Sequence, residues 1–359
     1  MPKSAVAVVE MTDNSVQPMQ TDDPRAPLRE AFLHQNLDPT AQLEALPADA
    51  SFRRYFRVTH TDRTLLVMDA PPTHENLPAY IVVDDYLRQH GFAAPEIIAT
   101  DLDHGFALIE DFGDQTYTRL LAAGGDEYAL YGLAIDVLAD LHQKPMPDAD
   151  SSILAYDQPS LLAEAALFVD WYWDYVMGTA PSAFQYQQFM SMMGRVMGDV
   201  AQRRECLVLR DYHVDNLMLR ADQPAGSVDS CGLLDFQDAR LGARAYDLMS
   251  LLEDARRDVS DELTQAMWDR YLAQATPADR AQFDADYRAL AVGRHAKILG
   301  IFVRLNRRDG KDKYLQHLPR IAQWLARSLD HPSMDEVRSF LDAECPAWRT
   351  PPVRDPQQR

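Results

Sequence analysis

The stretch Leu207-Val-Leu-Arg-Asp-Tyr-His-Val-Asp-Asn-Leu-Met-Leu-Arg220, followed by Cys231-Gly-Leu-Leu-Asp-Phe-Gln-Asp-Ala-Arg-Leu-Gly-Ala-Arg-Ala-Tyr-Asp-Leu-Met-Ser-Leu-Leu252, decides how the chain is read. Two apolar runs, Leu207–Leu209 and Leu217–Leu219, flank the polar hexapeptide Asp211–Asn216. That pattern predicts a loop held between buried segments. A third apolar run, Gly232–Leu234, delivers Asp235. Asp211, Asn216 and Asp235 are thereby set on the ends of short buried segments. Phosphoryl transfer uses such a set: one carboxylate orients the attacking hydroxyl, while an amide and a second carboxylate hold magnesium on nucleotide phosphates. Taken singly, Asp211 reads as a cap and Asp235 as a turn residue; only together do they suggest a site.

These segments carry a family resemblance. D-x-H-x-x-N at Asp211–Asn216, L-L-D-F-x-D-A at Leu233–Ala239 and G-x-x-x-Y-D-L at Gly242–Leu248 resemble the catalytic segment of the aminoglycoside phosphotransferase-like kinases. Leu209-Arg210-Asp211 and Asp235-Phe236-Gln237 stand where protein kinases have H-R-D and D-F-G. The resemblance implies an α+β, two-lobed, protein-kinase-like fold, with a small β-rich N-lobe and a larger, mainly helical C-lobe. The expected divisions are a mobile tail over 1–27, a nucleotide-binding N-lobe over 28–112, a catalytic and substrate-binding C-lobe over 113–348, and a tail over 349–359.

Composition narrows the partners. The formal net charge of −20 argues against nucleic acid and anionic membranes. It suits a cationic substrate, although net charge gives no map of a cleft. Cys206, Cys231 and Cys345 lack metal-ligand spacing, and so sparse a set fits a reducing cytoplasm. The absence of a long apolar run predicts no membrane span.

In the N-lobe, 51–59 and 64–68 read as strands joined by a hairpin turn at 60–63, and Leu77–His90 as a helix. No glycine-rich phosphate loop precedes the first strand; Ala48-Asp-Ala-Ser51 occupies its place. Ser51, Arg53 and Arg54 are candidate phosphate contacts, with a solvated strand face as the alternative for the arginines. The phosphate-binding lysine of the third strand is missing: Met68 or Asp69 stands there. Asp84 or Asp85 is the remnant of its acidic partner, or a solvated pair. Phe106–Ile109 leads into Glu110-Asp-Phe-Gly113, by resemblance the hinge. Main-chain groups of Glu110 and Phe112 would meet adenine, with Leu108 packed nearby.

In the C-lobe, Ser160–Met177 reads as one helix. Its Asp170, Trp171 and Tyr172 combine aromatic faces with a carboxylate, as sugar sites do, or else are ordinary helix packing. Asp247 begins a helix and is expected to brace the catalytic loop. Asp279–Ala291 and Ala296–Leu305 read as separate helices.

A narrower resemblance adds the substrate. Leu209–Leu217, Leu233–Arg240, Asp247–Asp258, Lys297–Leu305 and M-D-A-P-P at Met68–Pro72 are similar to the anomeric kinases of cell-wall amino sugars. It covers about residues 28 to 345 and makes the missing lysine a family trait. It implies transfer from ATP, with Mg2+, to the anomeric oxygen of N-acetylmuramate and N-acetylglucosamine in peptidoglycan recycling. Asp211 would be the base, Asn216 and Asp235 the metal ligands, and Arg304 (or Arg307 and Arg308) the contact to an acidic sugar substituent; a solvated basic turn is the other reading. The rivals are an aminoglycoside or choline kinase of the same fold, and a nucleotide-binding pseudokinase scaffold. The sequence leaves the oligomeric state open.

Overall fold

The computed structural model describes residues 23–47, 52–60, 63–148, 151–275 and 279–352. The chain enters through α1 (Ala26–Asn36) and a sheet of β1 (Glu44–Ala45), β2 (Arg54–His60), β3 (Arg63–Asp69), β4 (Ile97–Asp101) and β5 (Phe106–Glu110), with α2 (Leu77–Gln89) between β3 and β4. The strand order is β1-β2-β3-β5-β4, antiparallel throughout. This small lobe and the mostly helical remainder make the two-lobed α+β fold. The predicted hairpin turn falls on 61–62, outside the described residues, as does Ser51.

Strand alternation decides which side chains reach the cleft. Tyr55 and Leu66 face it together with Ile109. Phe56, Val58, Leu65, Val67, Phe106 and Leu108 face the other way and pack on Phe32 and Leu33 of α1. Leu108 is therefore turned from the cleft, contrary to expectation. Arg54 shares that outer face, and its guanidinium bonds Asp69 (2.8 Å) and Asp23 (2.9 Å). Asp69 also accepts from Arg25 and Arg29, each at 2.7 Å. The expected tail is thus too long: Asp23 and Arg25 already belong to this cluster. Asp69 is fully buried there, and Met68 packs on the inner face. Neither stands free to serve a ligand.

The C-lobe begins with α3 (Tyr117–Ala122), α4 (Glu127–Leu141), α5 (Gln158–Leu167), a π-helical turn at Phe168–Tyr172, α6 (Trp173–Met177) and α7 (Ala183–Met197). The short strands β6 (Cys206–Val208), β7 (Leu217–Leu219), β8 (Cys231–Leu233) and β9 (Arg240–Gly242) follow, then α8 (Ala245–Leu252), α9 (Asp261–Ala275), α10 (Arg280–Asp309), α11 (Leu318–Leu329) and α12 (Asp335–Glu344). Strands β6 and β9 pair, as do β7 and β8. No described helix is long and apolar enough to cross a membrane.

Two sequence readings change. α10 is one continuous helix, not two; its Gly293 is tolerated because a Cβ there would lie 2.2 Å from Met197 Cε. The stretch read as one helix over 160–177 is broken by the π-turn, which packs on α10. α10 approaches α5 closely at Gly300, where a Cβ would sit 2.1 Å from the Leu167 carbonyl oxygen. Gly300→Ala must push two buried helices apart. It should lower unfolding stability by about 1–3 kcal/mol, read as a lower urea midpoint; an unchanged midpoint would show that this interface yields freely.

Candidate active site

The two buried runs foreseen around the hexapeptide are β6 and β7, with Leu207, Val208, Leu209, Leu217 and Met218 all in the core. Between them the backbone makes a sharp turn. Arg210 has φ 71° and Asp235 φ 59°, a left-handed conformation that non-glycine residues adopt at a cost of about 1 kcal/mol or more. The fully buried Asp247 holds the first in place, its carboxylate accepting from the backbone N–H of Leu209 (2.6 Å) and Arg210 (2.8 Å). Burial raises its carboxyl to about 7 against these two donors. Arg210 uses its side chain as well, pairing with Glu164 and donating to the Asp238 carbonyl (3.1 Å). Tyr212 Oη donates to the Ala134 carbonyl (2.7 Å) and pins the loop to α4.

Asp211 then projects into a cleft of about 680 Å³ between the lobes. Burial alone would raise its pKa; the cations Lys297, Arg294 and Arg210 outweigh that and hold it near 2. Lys297 and Arg294 are buried cleft-lining cations, three residues apart on α10. Lys297 Nζ lies 3.1 Å from Glu164, the carboxylate shared with Arg210, and Arg294 donates to Ser250 Oγ (2.6 Å). The Asp211 carboxylate is thus ionised through the neutral pH range. His213 is pushed down by burial, its Nε2 beside Arg256 (3.3 Å), so it is a neutral structural neighbour.

Asn216 and Asp235 meet in the same cleft because the Leu234 N–H donates to the Asn216 carbonyl (3.0 Å). Asn216 Nδ2 donates to the Asp211 carbonyl (2.9 Å), which turns its amide oxygen away from that bond. Asp235 Oδ1 receives Arg53 (2.5 Å) and Gln237 (3.1 Å); its Oδ2 has no hydrogen bond among the described residues. One carboxylate and one amide oxygen make a hard-oxygen pair suited to magnesium. Among the described residues no group of three or more His, Cys, Asp or Glu forms a metal cage. A cation held here would therefore draw its remaining ligands from phosphates and water. Arg53 is buried and also pairs with Glu75 (3.2 Å), just ahead of α2. The acidic partner of the N-lobe cation is accordingly Glu75, not Asp84 or Asp85. Asp84 is a buried acid raised to about 7 by burial, not half of a solvated pair.

The other end of the cleft is a slot lined by Leu66, Ile109, Met218 and Leu234, closed by Glu110–Gly113. The Glu110 N–H already donates to the Glu96 carbonyl (2.9 Å), whereas the main chain of Phe112 has no hydrogen bond among the described residues. Arg57 fixes this linker by pairing with Asp111 (2.6 Å). Phe236, the residue after Asp235, stacks on Tyr80 of α2 with centroids 4.8 Å apart.

Arg53, Glu110, Phe112, Asp211, Asn216, Asp235 and Arg304 line one cleft; Arg54 and Leu108 do not, for the reason of strand phase given above. Asp170, Trp171 and Tyr172 do not either. They lie on the π-turn, where Tyr172 is fully buried with its Oη donating to the Trp348 carbonyl (2.7 Å), and Asp170 bonds Tyr186. Helix packing won over sugar contact. Sequence reading missed Glu75, Gln237, Glu164, Arg294 and Lys297. The i, i+3 spacing of Arg294 and Lys297 within the largely apolar middle of α10, residues 289–303, was the available signal for the last two.

The phosphotransferase enzyme family model (APH) matches residues 42–285. N-acetylmuramate/N-acetylglucosamine kinase of Caulobacter vibrioides is 33% identical over 363 residues, covering 91% of this chain and 99% of that protein. The enzyme of the same name from Pseudomonas aeruginosa is 34% identical over 310 residues, covering 84% and 88%. Among solved structures, ADP-bound aminoglycoside phosphotransferase APH(2'')-Ib superposes with TM-score 0.55 at 13% identity, covering 84% of this chain and 99% of that one. Choline kinase LicA of Streptococcus pneumoniae gives 0.60 at 11%, covering 84% and 98%.

Asp247→Ala would orphan two backbone donors at the turn. Each such loss costs about 1–3 kcal/mol, so the unfolding free energy should fall by about 2–6 kcal/mol in urea titration. Unaltered stability would mean that another group holds the loop.

Proposed function

The chain belongs to the phosphotransferase enzyme family, and from that membership we propose that it transfers the γ-phosphoryl group of ATP to the anomeric hydroxyl of N-acetylmuramate and N-acetylglucosamine, giving the sugar 1-phosphates. Relatives bearing both sugars in their name, matched over most of their length, support the acceptor. The observation that carries the chemistry is the convergence of Asp211, Asn216 and Asp235 on one cleft with an apolar slot at its far end.

In this reading ATP lies between the lobes, its purine in the slot beside Leu66, Ile109, Met218 and Leu234. The free main chain of Phe112 supplies hydrogen bonds, and Arg53 supplies the phosphate contact that a third-strand lysine makes elsewhere. Asn216 and Asp235 would hold Mg2+, which supplies charge neutralisation on the phosphates. Asp211 accepts a hydrogen bond from the sugar O1 hydroxyl and aligns it for in-line attack, taking the proton as O1 bonds to the γ-phosphorus and the bond from that phosphorus to the β–γ bridging oxygen breaks, releasing ADP. Lys297 and Arg294 keep that carboxylate ionised. Positioning and charge carry most of the rate. The cytoplasm, where peptidoglycan fragments are reused, suits three buried free thiols. The pseudokinase reading rests on the missing lysine and glycine-rich loop; Arg53 with Glu75 offers a cation and acid in place of the lysine pair, and Asp211, Asn216 and Asp235 sharing one cleft oppose that reading.

Incubating the protein with ATP, Mg2+ and each sugar, then assigning the phosphorylated carbon by NMR, tests the reading. Product at C6, or none, would refute it. Asp211→Asn should keep nucleotide affinity while kcat falls by about 100- to 10,000-fold; near-normal turnover would remove the base assignment. Asp235→Ala should abolish the response to added Mg2+ in the same assay, and an unaltered magnesium titration would exclude it as a ligand.

A further inference from the structure

Most cations that line the cleft are already engaged. Arg53 pairs with Glu75 and Asp235, Arg57 with Asp111, Arg119 with Asp114, Arg256 with Asp215, and Lys297 with Glu164, while Arg294 donates to Ser250. Arg304 is different. It lines the cleft half-buried, its Nε is shut off from solvent without a partner, and it makes no ion pair or hydrogen bond among the described residues. Burial lowers its pKa and Arg308 lowers it further, outweighing the Asp309 carboxylate, which raises it but forms no ion pair with it. Its two basic neighbours are spoken for: Arg307 pairs with Asp174, and Arg308 with Asp309. A partly desolvated guanidinium with no carboxylate in contact is costly unless an anion arrives to meet it.

α10 sets where that anion would lie. Arg304 is seven residues beyond Lys297, two turns along the same face, or about 10 Å at 1.5 Å per residue. Lys297 stands beside Asp211, where the anomeric hydroxyl would react. Arg304 is therefore offset from the reaction centre along α10 while lining the same cleft. Ile301 and Leu305 flank it, an apolar setting in which a charge pair is stronger than in water.

The two proposed acceptors share a ring, an anomeric hydroxyl and an acetamido group. They differ at O3, where N-acetylmuramate carries a lactyl ether ending in a carboxylate. We propose that Arg304 is the specificity-determining residue that receives this carboxylate, and that it makes the cleft favour the acidic sugar over neutral N-acetylglucosamine. The planar guanidinium fork matches a carboxylate in two parallel hydrogen bonds. The assignment rests on the functional reading above and refines it.

The test is steady-state kinetics on both sugars for wild-type, R304Q and R304K protein, with thermal melting alongside. Wild-type kcat/KM should be higher for N-acetylmuramate. R304Q should lower the ratio of the two kcat/KM values by on the order of 100-fold, mainly through KM for the acidic sugar, and R304K should recover part of it. The methyl ester of N-acetylmuramate, tried on wild-type protein, should lose the same advantage without any substitution. A ratio unmoved by R304Q, or an ester as good as the acid, overturns the assignment while leaving the kinase reading intact. Wild-type protein that phosphorylates neither sugar overturns both.

Discussion

One buried carboxylate carries the geometry of the site. Asp247 takes the N–H groups of Leu209 and Arg210 and so fixes a left-handed residue immediately before the base. Without that anchor Arg210 would relax toward ordinary backbone angles and swing Asp211 out of line. Everything downstream inherits the turn. The Asn216 amide leans on the Asp211 carbonyl, the Leu234 amide on the Asn216 carbonyl, and Asp235 follows. Three polar groups are placed by a chain of backbone bonds rooted in the core, which is how a loop gains the rigidity that phosphoryl transfer requires.

The N-lobe reaches a familiar electrostatic end by another path. A cation must reach the phosphates and an acid must steady it. The pair available for that role is Arg53, just ahead of β2, with Glu75, just ahead of α2. The guanidinium also bridges to Asp235, so the sheet and the catalytic loop share a charge pair across the cleft. Net acidity of the whole chain does not describe this surface. The site is lined by Arg53, Arg256, Arg294, Lys297 and Arg304 among its acids, so a net charge of −20 does not decide the charge of the substrate it would take.

What the sequence disclosed follows from sequence distance. Asp211, Asn216 and Asp235 lie within twenty-five positions of one another, so spacing and flanking apolar runs revealed them. Lys297 and Arg294 belong to a helix some eighty residues on; only packing brings them beneath the base, and no local pattern states that. Arg54 and Leu108 failed for a subtler reason. A strand shows its period clearly, but its phase, meaning which alternate set meets the cleft, is fixed by what packs outside, here Phe32 and Leu33 of α1. Asp170, Trp171 and Tyr172 failed because a π-turn redirects them and Trp348, far along the chain, covers Tyr172.

The arginine cluster around Asp69 has an evolutionary implication. A lysine at 69 would meet Arg25, Arg29 and Arg54 with no acid left among them but Asp23. A lysine at 68 would put its charged tail into a fully buried methionine's place on the inner face. Either substitution would cost the small lobe ion pairs or packing that it now has, so the salt bridges around Asp69 work as a ratchet: a chain that has acquired them can tune them, yet cannot readily exchange them for a lysine.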